Sequence, residues 1–371
     1  MLRLATLIVV PTLLLSACGA DDTASPAGSA GTRESGAASP STSASQDGAR
    51  SARPEVIGTI ASRLEVPWGI AFLPDGSALV TERDSGRVLQ IRGTKVTEVG
   101  TVDEAEPLGE AGLLGVAVSP DFARDRRVFF YASTDDDNRV LRTTFRDGRL
   151  GAPEPILTGI PNADHHDGGR MVFGPDKTLY VSTGEAGQPD LAQDPSSLGG
   201  KILRITQDGD PAPGNPRASS PVWTLGHRNV QGLAFDDQGR LWASEFGQNA
   251  YDELNLIEKG KNYGWPEVEG TGDEPEFQNP QVTWPTDNAS PSGLAFLDGR
   301  LWLGALQGER LYRVDVTAQG AGTEKGFFVG AYGRVRTVVP APDGNLWVTT
   351  SNRDARGEPA AKDDRILLVK P

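Results

Sequence analysis

Apolar and polar residues alternate in short runs along most of the chain, and one phrase recurs. Each copy has an apolar strand, a turn of the Pro-Asp-Gly type, and a second strand with an apolar centre. The two-residue period is typical of a half-buried β-strand, and Asp and Gly suit the tight reversal between paired strands. The pattern therefore predicts a series of β-hairpins. Its copies begin at Gly69, Gly115, Arg170, Gly232, Gly293 and Arg336.

Six such copies without amphipathic helices between them predict an all-β fold, a six-bladed β-propeller. Several copies continue into a third strand, as at residues 87–91 and 310–314. The apolar segment 55–60 lies ahead of the first copy, and residues 365–370 end the last. We expect these two segments to pair and close the ring. Because the repeats differ in length, the extra residues should lie in loops that build a site on one face.

The N-terminus has the features of a bacterial lipoprotein signal. Arg3 precedes an apolar run at residues 4–15 that is too short to cross a bilayer, and Leu-Ser-Ala-Cys ends at Cys18. We predict a signal peptide at 1–17, lipidation of Cys18, a flexible linker at 18–53 and a propeller at 54–371. The predicted localisation is the cell envelope, with the protein lipid-anchored to the membrane on its extracytoplasmic side.

Charge and cysteine content exclude several classes of function. The formal net charge is −14 and no basic run occurs, so nucleic acid is not an expected partner. Cys18 is the single cysteine, which excludes an intramolecular disulfide and a thiolate metal cluster.

All three histidines lie in two polar motifs, Asp-His-His-Asp-Gly-Gly-Arg at 164–170 and Gly-His-Arg-Asn at 226–229. Histidine titrates near neutral pH, so His166 is a candidate base. Arg228 and Asn229 are candidate donors to a negative charge. The alternative is that each imidazole is a hydrogen-bonded structural residue.

Two further features indicate charged ligands. Arg334 and Arg336 flank Val335, and strand alternation would put both guanidinia on one face, where they would attract an anion. A solvated strand edge is the alternative. The Gly/Asn-rich segment from Gly247 to 265 offers the carboxylates and carbonyls that a hard cation such as calcium prefers, although a plain surface turn has the same composition.

The order of these motifs resembles the soluble PQQ-dependent sugar dehydrogenases, the glucose/sorbosone dehydrogenase family. The matching phrases are VPWGIAFLPDG, GEAGLLGVAVSPDF, HHDGGRMVFGPD, GHRNVQGLAF, DELNLIEKGKNYGWP, SPSGLAF and GRVRTVVPAPDG, and together they run from residue 66 to 344. The family is a six-bladed propeller, in agreement with the repeat count.

The resemblance implies a role for each matched residue. His166 would be the general base at the anomeric carbon of an aldose, and Arg228 would stabilise negative charge on the reactive oxygen of pyrroloquinoline quinone (PQQ). Asn229, Arg334 and Arg336 would hold the quinone.

The resemblance also implies two calcium ions. Backbone oxygens of Gly247 and Gln248 would bind the calcium that polarises the quinone. Glu253 and the backbone of Tyr263 would bind a second, structural calcium.

Three positions depart from the family pattern, all near the cofactor. Glu110 stands where the family usually has Gln, Gln248 where it often has Pro, and Gln307 where the glucose enzymes have a cofactor-binding lysine. An added carboxylate and a missing ammonium disfavour an anionic quinone. Glu110 instead has the chemistry to ligate calcium or a substrate hydroxyl.

We therefore expect an extracytoplasmic quinoprotein that oxidises aldoses to lactones. Its partners would be a sugar substrate and an external electron acceptor of unknown identity, because the chain has no haem-attachment motif. One alternative is a calcium-dependent lactonase. The other is a non-catalytic propeller that binds carbohydrate or protein at the cell surface.

Overall fold

The computed structural model describes residues 53–371 and confirms the predicted all-β architecture. Six antiparallel sheets of four or five strands form the blades. Helical structure in this range is confined to α1 (Phe122–Asp125) and the 3₁₀ turns Pro189–Ala192 and Thr286–Asn288. No helix in the described range is long and apolar enough to cross a bilayer. The predicted signal peptide, Cys18 and all but the last residue of the predicted linker lie outside the described residues.

The first three blades follow one another along the chain. Blade 1 contains β2 (Pro67–Phe72), β3 (Ala78–Glu82), β4 (Arg87–Arg92) and β5 (Lys95–Thr101). Blade 2 contains β6 (Leu113–Val118), β7 (Arg127–Ser133), β8 (Asn138–Arg146), β9 (Arg149–Leu150) and β10 (Glu154–Ile160). Blade 3 contains β11 (Met171–Phe173), β12 (Leu179–Ser182), β13 (Lys201–Ile205) and β14 (Val222–Leu225).

The last three blades complete the ring. Blade 4 contains β15 (Val230–Phe235), β16 (Leu241–Glu245), β17 (Tyr251–Ile257) and β18 (Val282–Pro285). Blade 5 contains β19 (Pro291–Leu297), β20 (Arg300–Ala305), β21 (Arg310–Val316) and β22 (Ala321–Phe327). Blade 6 contains β23 (Val335–Pro340), β24 (Leu346–Thr350), β25 (Arg365–Lys370) and, from the start of the domain, β1 (Glu55–Ser62).

The ring closes as predicted. β1 pairs antiparallel with β25, with Glu55 opposite Lys370 and Ser62 opposite Arg365. The first strands of all six blades line a central channel. The residues in the later half of each of these strands give the channel a mainly apolar lining. β1 thus becomes the outer strand of blade 6 and pairs with backbone groups of β25 that would otherwise form an open edge.

The core lies between neighbouring blades, where apolar strand faces meet. Trp68, Trp242 and Trp302 are almost completely buried. The Phe129 and Phe173 rings of blades 2 and 3 meet edge to face with centroids 5.3 Å apart. Burying one such aromatic side chain contributes about 2–3 kcal/mol, so these contacts hold the blades in a fixed arrangement around the channel.

Strand direction alternates within each blade, so one face of the ring carries two sets of loops. These are the loops before each first strand and the loops between each second and third strand. We call this side the mouth face. The predicted site residues on these two sets of loops, or at the strand ends that adjoin them, are Glu110, His166, Arg228, Asn229, Gly247, Gln248, Gln307, Arg334 and Arg336.

Candidate functional site

His166 is held by a carboxylate that lies 19 residues further along the chain. Its Nδ1 lies 2.7 Å from Oε1 of Glu185, and the two side chains are only 13% and 1% exposed. Because an ionised carboxylate only accepts hydrogen bonds, the contact places the proton on Nδ1 and leaves Nε2 as the basic nitrogen. This arrangement is suited to a general base.

The backbone around His166 depends on a close approach by glycine. His166 has a left-handed φ of 60°, and its carbonyl oxygen would lie 1.8 Å from a Cβ atom at Gly184. The Ala186 N–H donates to the same carbonyl at 3.1 Å. Gly184 therefore lets the loop that carries Glu185 pack directly onto the histidine turn.

The other two histidines have different surroundings. His227 is completely buried, with Nδ1 2.9 Å from Glu245, Nε2 2.9 Å from Thr224, and its ring stacked on Tyr263. His227 therefore has the structural role given above as the alternative. The His165 side chain is 44% exposed and contacts the Asp164 carboxylate.

Arg228 and Asn229 extend from the loop before β15. The Arg228 backbone N–H donates to Glu245, and the guanidinium contacts the Phe246 carbonyl and lies 5.4 Å from the Trp265 ring centroid. Nε of Arg228 is buried and has no hydrogen-bond partner among the described residues. Burial lowers the pKa of Arg228, and surrounding carboxylates partly offset that effect. Asn229 accepts from the Gly168 N–H at 3.1 Å.

Glu110 lies between these two groups. Its Oε2 accepts from Asn229 Nδ2 at 3.3 Å and from the His166 N–H at 3.4 Å, while Oε1 accepts from Arg356 Nη1 at 2.6 Å. Burial would raise the pKa of Glu110, but the Arg356 guanidinium outweighs it and the pKa is lowered. Glu110 is therefore a carboxylate inside the candidate site.

Arg334 and Arg336 point to one carboxylate, as their spacing predicted. Asp354 Oδ2 accepts from Arg334 Nε at 3.0 Å and from Arg336 Nη2 at 3.3 Å. Burial lowers the pKa of Arg336 to about 10. Arg336 Nη1 also donates to Gln231 at 3.2 Å. Within the chain, Asp354 is thus the anion that the arginine pair attracts.

The predicted calcium loop is organised by Glu269. Its Oε1 accepts from the backbone N–H groups of residues 248, 249, 250 and 251 at 2.6 to 3.2 Å. The Gly247 N–H donates to Asp252 at 2.9 Å. No hydrogen bond from the described residues ends on the carbonyl oxygens of Gly247 and Gln248. Two oxygens therefore remain for a hard cation.

Glu253 and Tyr263 line a small cavity together with Gly247. Glu253 accepts from the Gly270 N–H at 2.8 Å and from Asn255 at 3.0 Å, and burial beside Glu245 raises its pKa. Across residues 53–371, no three His, Cys, Asp or Glu side chains converge as metal ligands. Besides Glu253, a calcium ion here would therefore rely mainly on backbone or amide oxygens.

The structure links several of the predicted residues directly and also adds partners. Hydrogen bonds link Glu110, His166 and Asn229, and Gln231 connects the next strand to Arg336. Gln307 lies exposed on the mouth face, and no hydrogen bond joins it to the others in the described range. The sequence did not indicate Glu185, Asp354 or Arg356. All three lie just beyond a buried second strand, the same position that Gly247 occupies in blade 4.

The fold places the protein in the class of six-bladed β-propellers. Comparisons with known proteins identify its family. The chain belongs to the glucose/sorbosone dehydrogenase family, whose model matches residues 64–364. The aldose sugar dehydrogenase YliI of Escherichia coli is 30% identical over 347 residues, covering 83% of this chain and 91% of that protein.

Solved structures agree with this assignment. The PQQ-bound aldose sugar dehydrogenase of Streptomyces coelicolor is 49% identical, with a TM-score of 0.84 over 86% of this chain and 98% of that chain. The structure of a "putative oxidoreductase (glucose dehydrogenase)" from Thermus thermophilus is 41% identical, with a TM-score of 0.80 over 86% of this chain and 99% of that chain.

Proposed function

We propose that this protein is a quinoprotein that oxidises aldose sugars at the anomeric carbon to lactones, with PQQ and calcium as cofactors. The observation that carries the proposal is the His166–Glu185 pair on the mouth face, where the Glu185 N–H also donates to the Arg228 carbonyl at 3.0 Å. The PQQ-bound relative from Streptomyces coelicolor, with 49% identity, supports the choice of cofactor.

The residues present fit both cofactors. The buried Nε of Arg228 lacks a partner in the described chain and suits an anionic group. Asn229, Arg334 and Arg336 would hold the quinone beside it, and the Gly247 and Gln248 carbonyls would bind calcium. When bound, the quinone supplies a two-electron acceptor, and calcium makes it more electrophilic.

The chain itself supplies the base. Nε2 of His166 takes the proton of the C1 hydroxyl, and Glu185 stabilises the imidazolium that forms. General-base catalysis of this kind contributes about 10²- to 10⁴-fold in rate. The half-buried Arg228 guanidinium places positive charge where negative charge develops, an interaction worth about 1.5–3 kcal/mol.

The test is a titration of the metal-free protein with PQQ, with and without calcium, followed by absorbance and calorimetry. We expect stoichiometric binding that requires calcium and a spectrum that bleaches when an aldose is added. Hydrolysis of an aldonolactone without an electron acceptor would instead favour the lactonase. Absence of both activities and of quinone binding would favour a carbohydrate- or protein-binding propeller.

We further propose that Cys18 is lipidated and anchors the protein on the extracytoplasmic side of the membrane. The support is the Leu-Ser-Ala-Cys motif after a short apolar run. Metabolic labelling with a radioactive fatty acid should mark the wild-type protein and not the Cys18→Ala variant. Equal labelling of both proteins would contradict the proposal.

A further inference from the structure

The Glu110–Arg356 ion pair connects distant parts of the ring across the mouth. Glu110 lies in the loop before blade 2, and Arg356 lies in the loop between β24 and β25 of blade 6, 246 residues further along the chain. The carboxylate also contacts Asn229 before blade 4 and the His166 backbone before blade 3. One side chain thus joins loops from four blades.

A carboxylate at this position is unfavourable for an anionic ligand. The Glu110 side chain is only 14% exposed, so solvent screens its charge poorly. The nearby guanidinia of Arg334 and Arg336 already share the Asp354 carboxylate. Arg356 is therefore the cation that directly offsets the charge of Glu110.

The placement of Arg356 is itself fixed by the site. Its backbone N–H donates to Asp354 Oδ1 at 3.1 Å, and Asp354 Oδ2 binds the two buried arginines. The Arg356 side chain remains 55% exposed. The Arg356 main chain is thus anchored through Asp354 to the arginine pair, whereas the Arg356 guanidinium reaches over the mouth to Glu110.

We propose that Arg356 is a positioning residue that acts through Glu110. It directs the carboxylate toward Asn229 and the His166 backbone and neutralises it, so that an anionic quinone binds in a mouth that contains an added negative charge. The inference rests on the proposed quinone function. It assigns a role in cofactor binding to a loop of blade 6 that the motifs did not indicate.

A double-mutant cycle tests this inference through quinone affinity, measured by calorimetry in the presence of calcium. The variants are R356Q, E110Q and the double variant, with R356K as the conservative substitution. E106Q and K362Q are matched controls, because they remove the same charges from exposed side chains on the same two loops. Circular dichroism confirms that each variant is folded.

We expect R356Q to weaken quinone binding about tenfold or more, because it leaves the Glu110 carboxylate unpaired. The double variant should recover to within about threefold of wild type, and E110Q alone should bind at least as tightly as wild type. R356K should retain most of the affinity because it keeps the charge. The two controls should match wild type.

Two results would overturn the role of Arg356. A double variant as weak as R356Q would mean that Arg356 contacts the quinone directly, and unchanged binding by R356Q would mean that it has no role. Both results require wild-type protein that binds quinone. Wild-type protein that binds none would overturn the proposed function itself, so the two failures are distinguishable.

Discussion

At the scale of single residues, the position of one proton on His166 determines its chemistry. Glu185 fixes that proton on Nδ1. We predict that H166A lowers aldose turnover about 10²- to 10⁴-fold, and that E185Q lowers it about 10- to 100-fold, because an amide supports the imidazolium poorly. Dye-linked turnover with an aldose measures both effects.

His165 provides the matched control for this prediction. It is the neighbouring histidine and is 44% exposed, its carboxylate partner is Asp164 and not Glu185, and its ring meets the His166 ring edge to face. H165A should keep turnover within about threefold of wild type. A loss in H165A as large as that in H166A would show that the wrong histidine has been assigned as the base.

Asp167 leads to a prediction about pH. Its Oδ2 is buried without a hydrogen-bond partner in the described residues, as is Oδ1 of the adjoining Asn138. Burial raises the pKa of Asp167 from 3.8 to about 7. Between these values the folded protein keeps a proton that the unfolded chain releases, so raising the pH across this window reduces stability.

The D167N variant lacks this titration. We expect its thermal midpoint to equal that of wild type near pH 4 and to exceed it by a few degrees at about pH 8. Thermal unfolding followed by circular dichroism at several pH values measures the difference. A difference that stays constant with pH would contradict the assignment.

Some residues of the site were not indicated by the sequence, and their positions explain why. His166, Arg228 and Asn229 were found because they lie in compact polar motifs. Glu185 and Arg356 lie 19 and 246 residues from the groups they contact. Pairing of β11 with β12 brings Glu185 to His166, and only the closed ring brings Arg356 to Glu110. The sequence did contain one indication of these residues. Both follow the buried second strand of a blade, as does the predicted site residue Gly247 in blade 4.

At the scale of elements, the loop between β16 and β17 takes its shape from one carboxylate. Glu269 accepts hydrogen bonds from four consecutive backbone N–H groups. Burial would raise the pKa of Glu269, but these hydrogen bonds outweigh that effect and the pKa is lowered. We predict that E269A weakens calcium binding about tenfold by loosening Gly247 and Gln248. Calorimetric titration with calcium, in the presence of PQQ, measures this.

Glu267 offers the control for this loop. It is exposed and two residues from Glu269, so E267A removes the same charge without removing the N–H contacts. E267A should bind calcium as wild type does. Equal weakening in both variants would point to general electrostatics instead of loop geometry.

The strand that closes the ring also permits a direct test. β1 covers the edge of β25, and Ala61 and Leu64 pack in the same cluster as Trp347 and Ile366. A chain that begins at residue 63 exposes that edge. We expect its thermal midpoint to fall by about 10 °C or more relative to a chain that begins at residue 53. Equal midpoints would show that closure adds no stability.

At the scale of the whole molecule, the repeat in the sequence predicted the architecture well. Each copy of the phrase became the first two strands of a blade, and the segment 55–60 became the closing strand. Sequence repeats indicate a ring because every blade must bury both faces of its sheet against the neighbouring blades. They do not reveal which loops meet above the channel, because loop contacts follow no period.

The same closure determines where the two ends of the domain emerge. β25 runs away from the mouth face and ends at Lys370, and β1 starts beside it at Glu55. Both ends therefore leave the ring on the side opposite His166 and Arg228. Attachment of either end to an electrode or a bead would leave the mouth open to sugar and to an electron mediator. The fold thus suits oriented immobilisation without redesign of a loop.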